Sequence, residues 1–571
     1  MKDLDWIQLS LLLLIITLIT KPLGIYIHKV LNPDEKTFLD KIFKPLEKLT
    51  YRVCRIDAKK EQTWKEYLFC VLVFSGFSVL FTYVLLGLQQ YLFLNPEKLG
   101  ALSADLRFNI AAGFQTNTDW QGYVGEETLS YFSQMVALPL QNFLSPSIGL
   151  GVAAALVRGI ARHSSTVLGN FWVDITRITY YLLLPLAFIA AVFFVSQGVP
   201  QNFNPYTKAT TLESGIEQHI VQGPMASQEG IKLIGVNGGG ATNADSAHPY
   251  ENPTPLSNFV QLLCMLAIPA AQTYYLGREI KNQKHGWSIY VTMAIIFVAG
   301  VIICCTFEAK GNPHFKDLGI AVSSGNMEGK EQRFGVFSSA LFATVTTSTS
   351  TGAINASHDS FTPIGGIVPM LNIQLGESIW GGVGAGLYSI LLFVVIAIFT
   401  AGLIIGRTPE YLGKKIEALD IQSAILGVLV FVFIVLGFTS WASVSEWGRS
   451  ALLNQGPHGF SEILYAYSSA AGNNGSSFNG LVTNTPWWNI SLGCAMLMGR
   501  YALITFVLML AGSLVKKKRP ATDTVSFPVS GVTFVALVIS VMILVGALSF
   551  LPALIMGPFL EQFFMLSGKL F

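Results

Sequence analysis

Charge is what this sequence of 571 residues has least of: Asp, Glu, Lys and Arg together make up 12% of it. A soluble globular domain carries about 25%, so composition excludes one. The charges nearly cancel, 36 Lys and Arg against 34 Asp and Glu, and the net value argues for no nucleic-acid partner. Cysteine is scarce as well. Cys54, Cys70, Cys264, Cys304, Cys305 and Cys494 fall mostly inside apolar runs and lack the paired spacing of a zinc site, so they read as small core residues, with no transition metal implied. There is no Gly-x-x-x-x-Gly-Lys-Ser/Thr string, no Asp-Lys-Thr-Gly phosphorylation string and no polar stretch large enough for a soluble domain. This polypeptide therefore cannot hydrolyse ATP by itself, and no cofactor is expected in it.

What is present is apolar length. Hydrophobic residues make up 51% of the chain, and a bilayer-spanning helix needs roughly 20 mostly apolar residues. By that measure ten runs qualify, near 6–28, 67–94, 129–157, 172–197, 256–277, 287–307, 363–406, 420–443, 486–514 and 528–556. The first has no small-residue cleavage site after it, so a retained helix is expected, not a signal peptide. The Lys- and Arg-rich connections are 29–65, Arg158/Arg162, Arg278/Lys281/Lys284, Arg407 to Lys415, and Lys516 to Arg519. They follow runs one, three, five, seven and nine, which by the positive-inside rule puts them in the cytoplasm and both termini outside.

Four of the remaining connections carry a short apolar segment: Leu102–Gln115, Met225–Ile234, Phe337–Val345 and Phe460–Ala471. They are too short to span and read as re-entrant pore helices. Each runs at once into a polar cluster: Thr116 to Gln121, Gly235 to Asn243, Thr346 to Ala353, and Ser468 to Ser476. Asn117, Asn237, Thr351 and Asn473 recur at a spacing of about 120 residues, the mark of a fourfold internal repeat. The expected fold is all-α and integral to the membrane. It has ten transmembrane helices, arranged as four helix–pore-helix–filter-loop–helix repeats around one pore, with an extra helix at each end. The expected boundaries are 1–30 for the extra N-terminal helix, 66–157, 171–280, 286–406 and 420–515 for the repeats, and 525–560 for the extra C-terminal helix.

Removing water from an alkali cation takes several oxygen ligands at once, and a ring of backbone carbonyls supplies them without a fixed charge that traps the ion. Gly, Thr, Ser and Asn suit such a ring, because glycine allows the unusual backbone and hydroxyls add oxygens. A pore helix ending at each loop aims about half a negative charge at the ion. One such loop is no more than a capping turn; four in register on one side point to a filter.

Run seven is interrupted by Gln374 to Gly386, rich in glycine and including Gly381 and Gly382, which reads either as a gate below the filter or as a kink between packed half-helices. Glu377 and Arg500 lie in apolar surroundings, and an ion pair between them near the pore is the economical expectation. Arg407 is a third candidate for that cluster, or an ordinary positive-inside anchor. Asp119, Gln121, Glu126 and Glu127 fall at the mouth, where they either concentrate cations or form solvated surface; Gln121 alone is assigned to the pore entrance.

Six strings, Thr-Asn-Thr-Asp-Trp-Gln (116–121), Gly-Val-Asn-Gly-Gly-Gly (235–240), Gly-Asn-Met-Glu-Gly-Lys-Glu-Gln-Arg-Phe-Gly (325–335), His-Asp-Ser-Phe-Thr (358–362), Gly-Arg-Thr-Pro-Glu-Tyr-Leu-Gly-Lys-Lys (406–415) and Pro-His-Gly-Phe-Ser-Glu (457–462), carry a resemblance. Within the superfamily of K⁺ transporters the chain resembles the family of potassium-binding, translocating A subunits of bacterial Kdp ATPases. The resemblance implies a filter of Asn117 and Thr118, Val236, Asn237 and Gly238, Ser350, Thr351 and Gly352, and Asn473, Asn474 and Gly475. It implies Gln121 at the entrance and Glu377, Arg407 and Arg500 below. It further implies K⁺ as the transported ion, and uptake driven by a partner P-type ATPase B subunit that carries ATP and Mg²⁺. A C subunit, a small F subunit and location in the bacterial inner membrane are implied too. A Thr-rich third loop and Gly-Asn-Asn-Gly in the fourth depart from the family pattern. The alternative is a stand-alone K⁺ channel or ion-coupled K⁺ transporter of the same superfamily.

Overall fold

The computed structural model describes residues 3–314, 318–319, 325–518 and 527–568; Arg519, the last residue of the basic loop after run nine, lies outside them. Among the described residues ten helices are long and apolar enough to cross a membrane. Eight are single: α1 (Leu4–Leu31), α3 (Trp64–Tyr91), α5 (Ser133–Ala161), α6 (Phe171–Gln197), α8 (Pro255–Glu279), α9 (Gln283–Lys310), α13 (Ala418–Val444) and α15 (Pro486–Leu514). The other two are α12 (Ala385–Ile405) and the C-terminal α16 (Val532–Leu566), which bends through a π-helical turn at Ile555–Phe559 where Pro558 cannot continue the ladder. An amphipathic α2 (Asp40–Val53) occupies the first basic connection.

The short apolar segments fold as helices: α4 (Ala104–Gln115), α7 (Met225–Ile234), α10 (Gly335–Ser348) and α14 (Gly456–Ala471). Each stands between two spans and ends at its polar cluster. Run seven is two helices, α11 (Pro363–Gln374) and α12, separated by ten residues of turn. Thr362 caps the first by accepting from the Gly365 N–H at 3.2 Å. The stretch after α6 forms a hairpin of β1 (Thr207–Thr210) and β2 (Glu217–Ile220), in which Thr207 pairs with Ile220.

Apolar side chains fill a buried core, with Leu150, Leu262, Phe342 and Leu492 fully enclosed, and also cover the outer surface. Phe77, Phe188, Ile189, Phe433 and Leu548 are exposed on that surface, as suits a face turned to hydrocarbon. Thr116, Thr118, Asn237, Thr349, Thr351 and Asn474 are fully buried at the centre. Buried irregular backbone is tolerated at that depth because protein surrounds it. The terminal helices lie outside the four helix–loop–helix units: α1 packs along α8, and α16 packs on α9, α12 and α14.

Candidate functional site

Each pore helix hands over to its loop through the same backbone device. The chain turns into the left-handed region twice, one residue apart: Asn117 (φ 66°) and Asp119 (51°), Val236 (54°) and Gly238 (85°), Ser350 (57°) and Gly352 (83°), Asn473 (53°) and Gly475 (101°). This aligns four triplets, Asn117-Thr118-Asp119, Val236-Asn237-Gly238, Ser350-Thr351-Gly352 and Asn473-Asn474-Gly475. Asn tolerates the conformation; β-branched Val236 does not, and such strain persists only where the surroundings enforce it. At Val236 the enforcing contact is the Asn117 amide, which donates to the Val236 carbonyl at 2.5 Å.

The triplets close into a ring. A Cβ built on Gly238 would fall 1.9 Å from the Thr351 carbonyl oxygen, one on Gly352 2.0 Å from that of Asn474, and one on Gly475 1.9 Å from that of Thr118. Loops two, three, four and one therefore touch in succession through their middle carbonyls, at distances only glycine permits. The junction of loops one and two is made by side chains: Asn237 Nδ2 donates to Asn117 Oδ1 at 2.6 Å, and Ser145 holds the same oxygen at 2.8 Å. Asn473 Nδ2 reaches Thr118 Oγ1 at 2.9 Å, and Ser350 Oγ donates to the Gly472 carbonyl at 3.0 Å. In loops one and three a threonine pair stacks its hydroxyls, Thr116 on Thr118 and Thr349 on Thr351, each at 2.7 Å. Four pore helices end at this ring, so the carbonyl ends of four dipoles converge on it.

On one side the ring opens into a vestibule of ≈ 810 Å³. Gln121 lines it and is committed: it donates to the Gly240 carbonyl at 2.8 Å and accepts from the Gly240 N–H at 3.1 Å, clamping loop two to loop one. Behind loop two sits a charged knot that the sequence reading did not anticipate. Lys232, fully buried in α7, contacts Glu229 at 2.5 Å, Glu251 at 2.8 Å and Asp245. Glu251 in turn accepts from the Thr242 N–H at 2.7 Å, and Asp245 from the Ile354 N–H of the third loop at 2.9 Å. Burial pushes the Glu251 carboxyl up, but Lys232 and the hydrogen bonds it receives outweigh that and hold it below the usual carboxylate range. The detectable signal was Glu229 and Lys232 at an i, i+3 spacing inside an apolar pore segment, where a charge needs a partner.

On the other side of the ring lies the interruption between α11 and α12. Gly382 N–H donates to the Thr349 carbonyl at 2.7 Å, so the ten-residue turn packs directly against the third loop. Gly381 and Gly382 lie at its centre, and Gly384 abuts Gly149 of α5 so closely that a Cβ would fall 2.1 Å from the Gly149 carbonyl carbon. Glu377 and Arg500 line one cavity of ≈ 50 Å³ beneath loops three and four, room for a few water-sized occupants. They share that space without an ion-pair contact: Arg500 Nη2 donates instead to the Ser145 carbonyl at 3.3 Å. Arg407 does not join them. It is exposed beyond the far end of α12, and 21 helical residues of about 1.5 Å each separate it from the interruption.

These features define a multi-pass membrane protein built on four re-entrant helix–loop units closed into a ring of carbonyls. The family model for the Potassium-transporting ATPase A subunit matches residues 10–563, and the chain belongs to that family. It is 51% identical to the potassium-transporting ATPase potassium-binding subunit of Solibacter usitatus, covering 97% of each chain. It is 50% identical to the subunit of the same name from Mesorhizobium japonicum, covering 99% of each. Among solved structures, the potassium transporter TrkH from Vibrio parahaemolyticus shares the fold, with a TM-score of 0.52 at 16% identity, over 86% of this chain and 98% of that one.

Proposed function

We propose that this chain selects and binds K⁺ from the outside at the ring of four triplets and passes it inward as the ion-conducting subunit of an ATP-driven uptake pump. The observation that carries the reading is the closed ring itself: middle-residue carbonyls of loops one, three and four lie against the next loop, held by fully buried side chains. Such a ring replaces a hydration shell with neutral oxygens. Family membership and the names of the relatives supply the ion and the pump. The filter is Asn117 and Thr118, Val236 to Gly238, Ser350 to Gly352 and Asn473 to Gly475, with Gln121 bracing the entrance.

The Gly381–Gly382 turn is the barrier below the filter, and the cavity holding Glu377 and Arg500 is the side space into which a stopped ion moves. A gated channel or ion-coupled transporter could use the same barrier, so what favours the pump over those alternatives is the match to the Potassium-transporting ATPase A subunit family and the names of the relatives. The partners are a P-type ATPase B subunit carrying ATP and Mg²⁺, a C subunit and a small F subunit. The chain sits in the bacterial inner membrane with the vestibule and both termini outside, because the basic connections stay in the cytoplasm.

The test is K⁺ uptake into vesicles by the purified assembly, with and without the P-type partner. ATP-dependent uptake that vanishes without the partner is expected. K⁺ flux at the same rate in this chain alone would establish the channel reading instead.

A further inference from the structure

The third position of each triplet is glycine in loops two, three and four, and aspartate in loop one. Asp119 is therefore the one side chain in this layer of the ring. Its residue is 1% exposed, yet both carboxylate oxygens are buried without a hydrogen-bond partner among the described residues. Asp119 lines the ring end of the vestibule together with Gly239, Gly352 and Gly475. A Cβ placed on Gly239 would fall 3.2 Å from the Asp119 Cβ, so Asp119 lies directly against loop two at this junction.

A carboxylate shut away from water needs a counter-charge, and the neighbouring cations are occupied. Lys232, which acts on Asp119 electrostatically, is already in contact with Glu229, Asp245 and Glu251. Lys330, also on the vestibule wall, is held by Glu308 at 2.7 Å. Left to itself, burial raises the Asp119 carboxyl well above its usual range, with Lys232 opposing and Asp245 adding. The neutral carboxylic acid has no acceptor for its proton here either, since neither oxygen has a partner.

We propose that Asp119 forms an outermost cation site of this ring, a layer with one fixed negative charge where the layers beneath are neutral. This rests on the filter reading above and assigns the ring an asymmetry within it. The incoming K⁺ exchanges part of its water for the carboxylate before reaching the neutral carbonyls, and a dehydrated divalent ion of similar radius binds there more tightly because the attraction scales with charge.

The test uses the intact pump complex and Asp119→Asn, which keeps the shape and tolerates the left-handed backbone. K⁺-stimulated ATP hydrolysis is titrated with K⁺, and then inhibited with Ba²⁺. We expect the apparent K⁺ affinity to fall about tenfold and Ba²⁺ inhibition to weaken more than that, with Na⁺ still excluded by the inner layers. Glu127→Gln, which removes a charge from the exposed rim, is expected to change either quantity less than about twofold. Independently of any variant, a wild-type complex in Rb⁺ is expected to show ion density in coordination contact with the Asp119 carboxylate. Unchanged K⁺ and Ba²⁺ titrations in Asp119→Asn, an equal loss in Glu127→Gln, or no Rb⁺ density at Asp119 would each overturn the site. Absence of K⁺-stimulated hydrolysis in the wild-type complex would instead remove the functional reading on which it stands.

Discussion

Gly238 shows how much a single position carries. Its φ of 85° and the 1.9 Å gap from a notional Cβ to the Thr351 carbonyl leave no room for a side chain. Gly238→Asp is expected to lower the apparent K⁺ affinity of the complex at least about tenfold and to relax exclusion of Na⁺, because the intruding group pushes loops two and three apart. Gly238→Ala should shift affinity the same way and by less. K⁺ and Na⁺ titrations of ATP hydrolysis check both, and unchanged affinity with intact Na⁺ exclusion would sink the ring assignment. At this scale the residue types were legible, since Gly, Thr, Ser and Asn after a short apolar segment carry their own chemistry. Their roles were less so. Gln121 stood out as a mouth residue, but only the fold shows it bonding both the N–H and the carbonyl of Gly240. Asp119 read equally well as solvated surface, because burial of a polar residue after a helix end depends on which loops arrive beside it.

Among the elements, the helix ends on the basic face are tied by one side chain. Lys414, in the two-residue strand that pairs with Glu410–Tyr411, donates to the Gly159 carbonyl at 2.7 Å, the Leu514 carbonyl at 2.8 Å and the Arg162 carbonyl. These carbonyls close α5 and α15, where a cation meets the negative end of each dipole. Burial, with Lys517 adding and Asp420 opposing, lowers its ammonium to about 8. Lys414→Met is expected to destabilise the complex by about 1–3 kcal/mol, the cost of leaving buried carbonyls unmatched, while K⁺ affinity stays unchanged because the ring meets these helices at Ser145 and Met496, several helical turns from the ends that Lys414 caps. A melting curve beside a K⁺ titration separates the two effects; an unaltered melt would remove the staple. The sequence placed Lys414 only in a positive-inside loop. The period of apolar residues reports which stretch is a helix, and it is silent on which helix ends share a cap.

At the level of the whole molecule, the five basic connections set a sidedness that can be checked directly. In a background lacking the exposed Cys54, a cysteine at Thr211 in the hairpin is expected to react with a membrane-impermeant reagent applied from outside, and one at Lys516 only after the membrane is opened. The reverse pattern would invert the orientation. By itself the sequence determined the ten spans, the four pore helices and the break in run seven. Each of these is a local contest between chain and solvent: a bilayer about 30 Å thick selects apolar length, and glycine interrupts a helix wherever it falls. The tertiary structure alone decided that loops over a hundred residues apart close into a ring, and that Lys232 gathers three carboxylates behind it. It also decided that Glu377 and Arg500 share a cavity which Arg407 never reaches, and that Asp119 is sealed at the ring's outer layer. Those outcomes depend on packing between distant segments, and no periodicity along one segment encodes the face that a remote one will present to it.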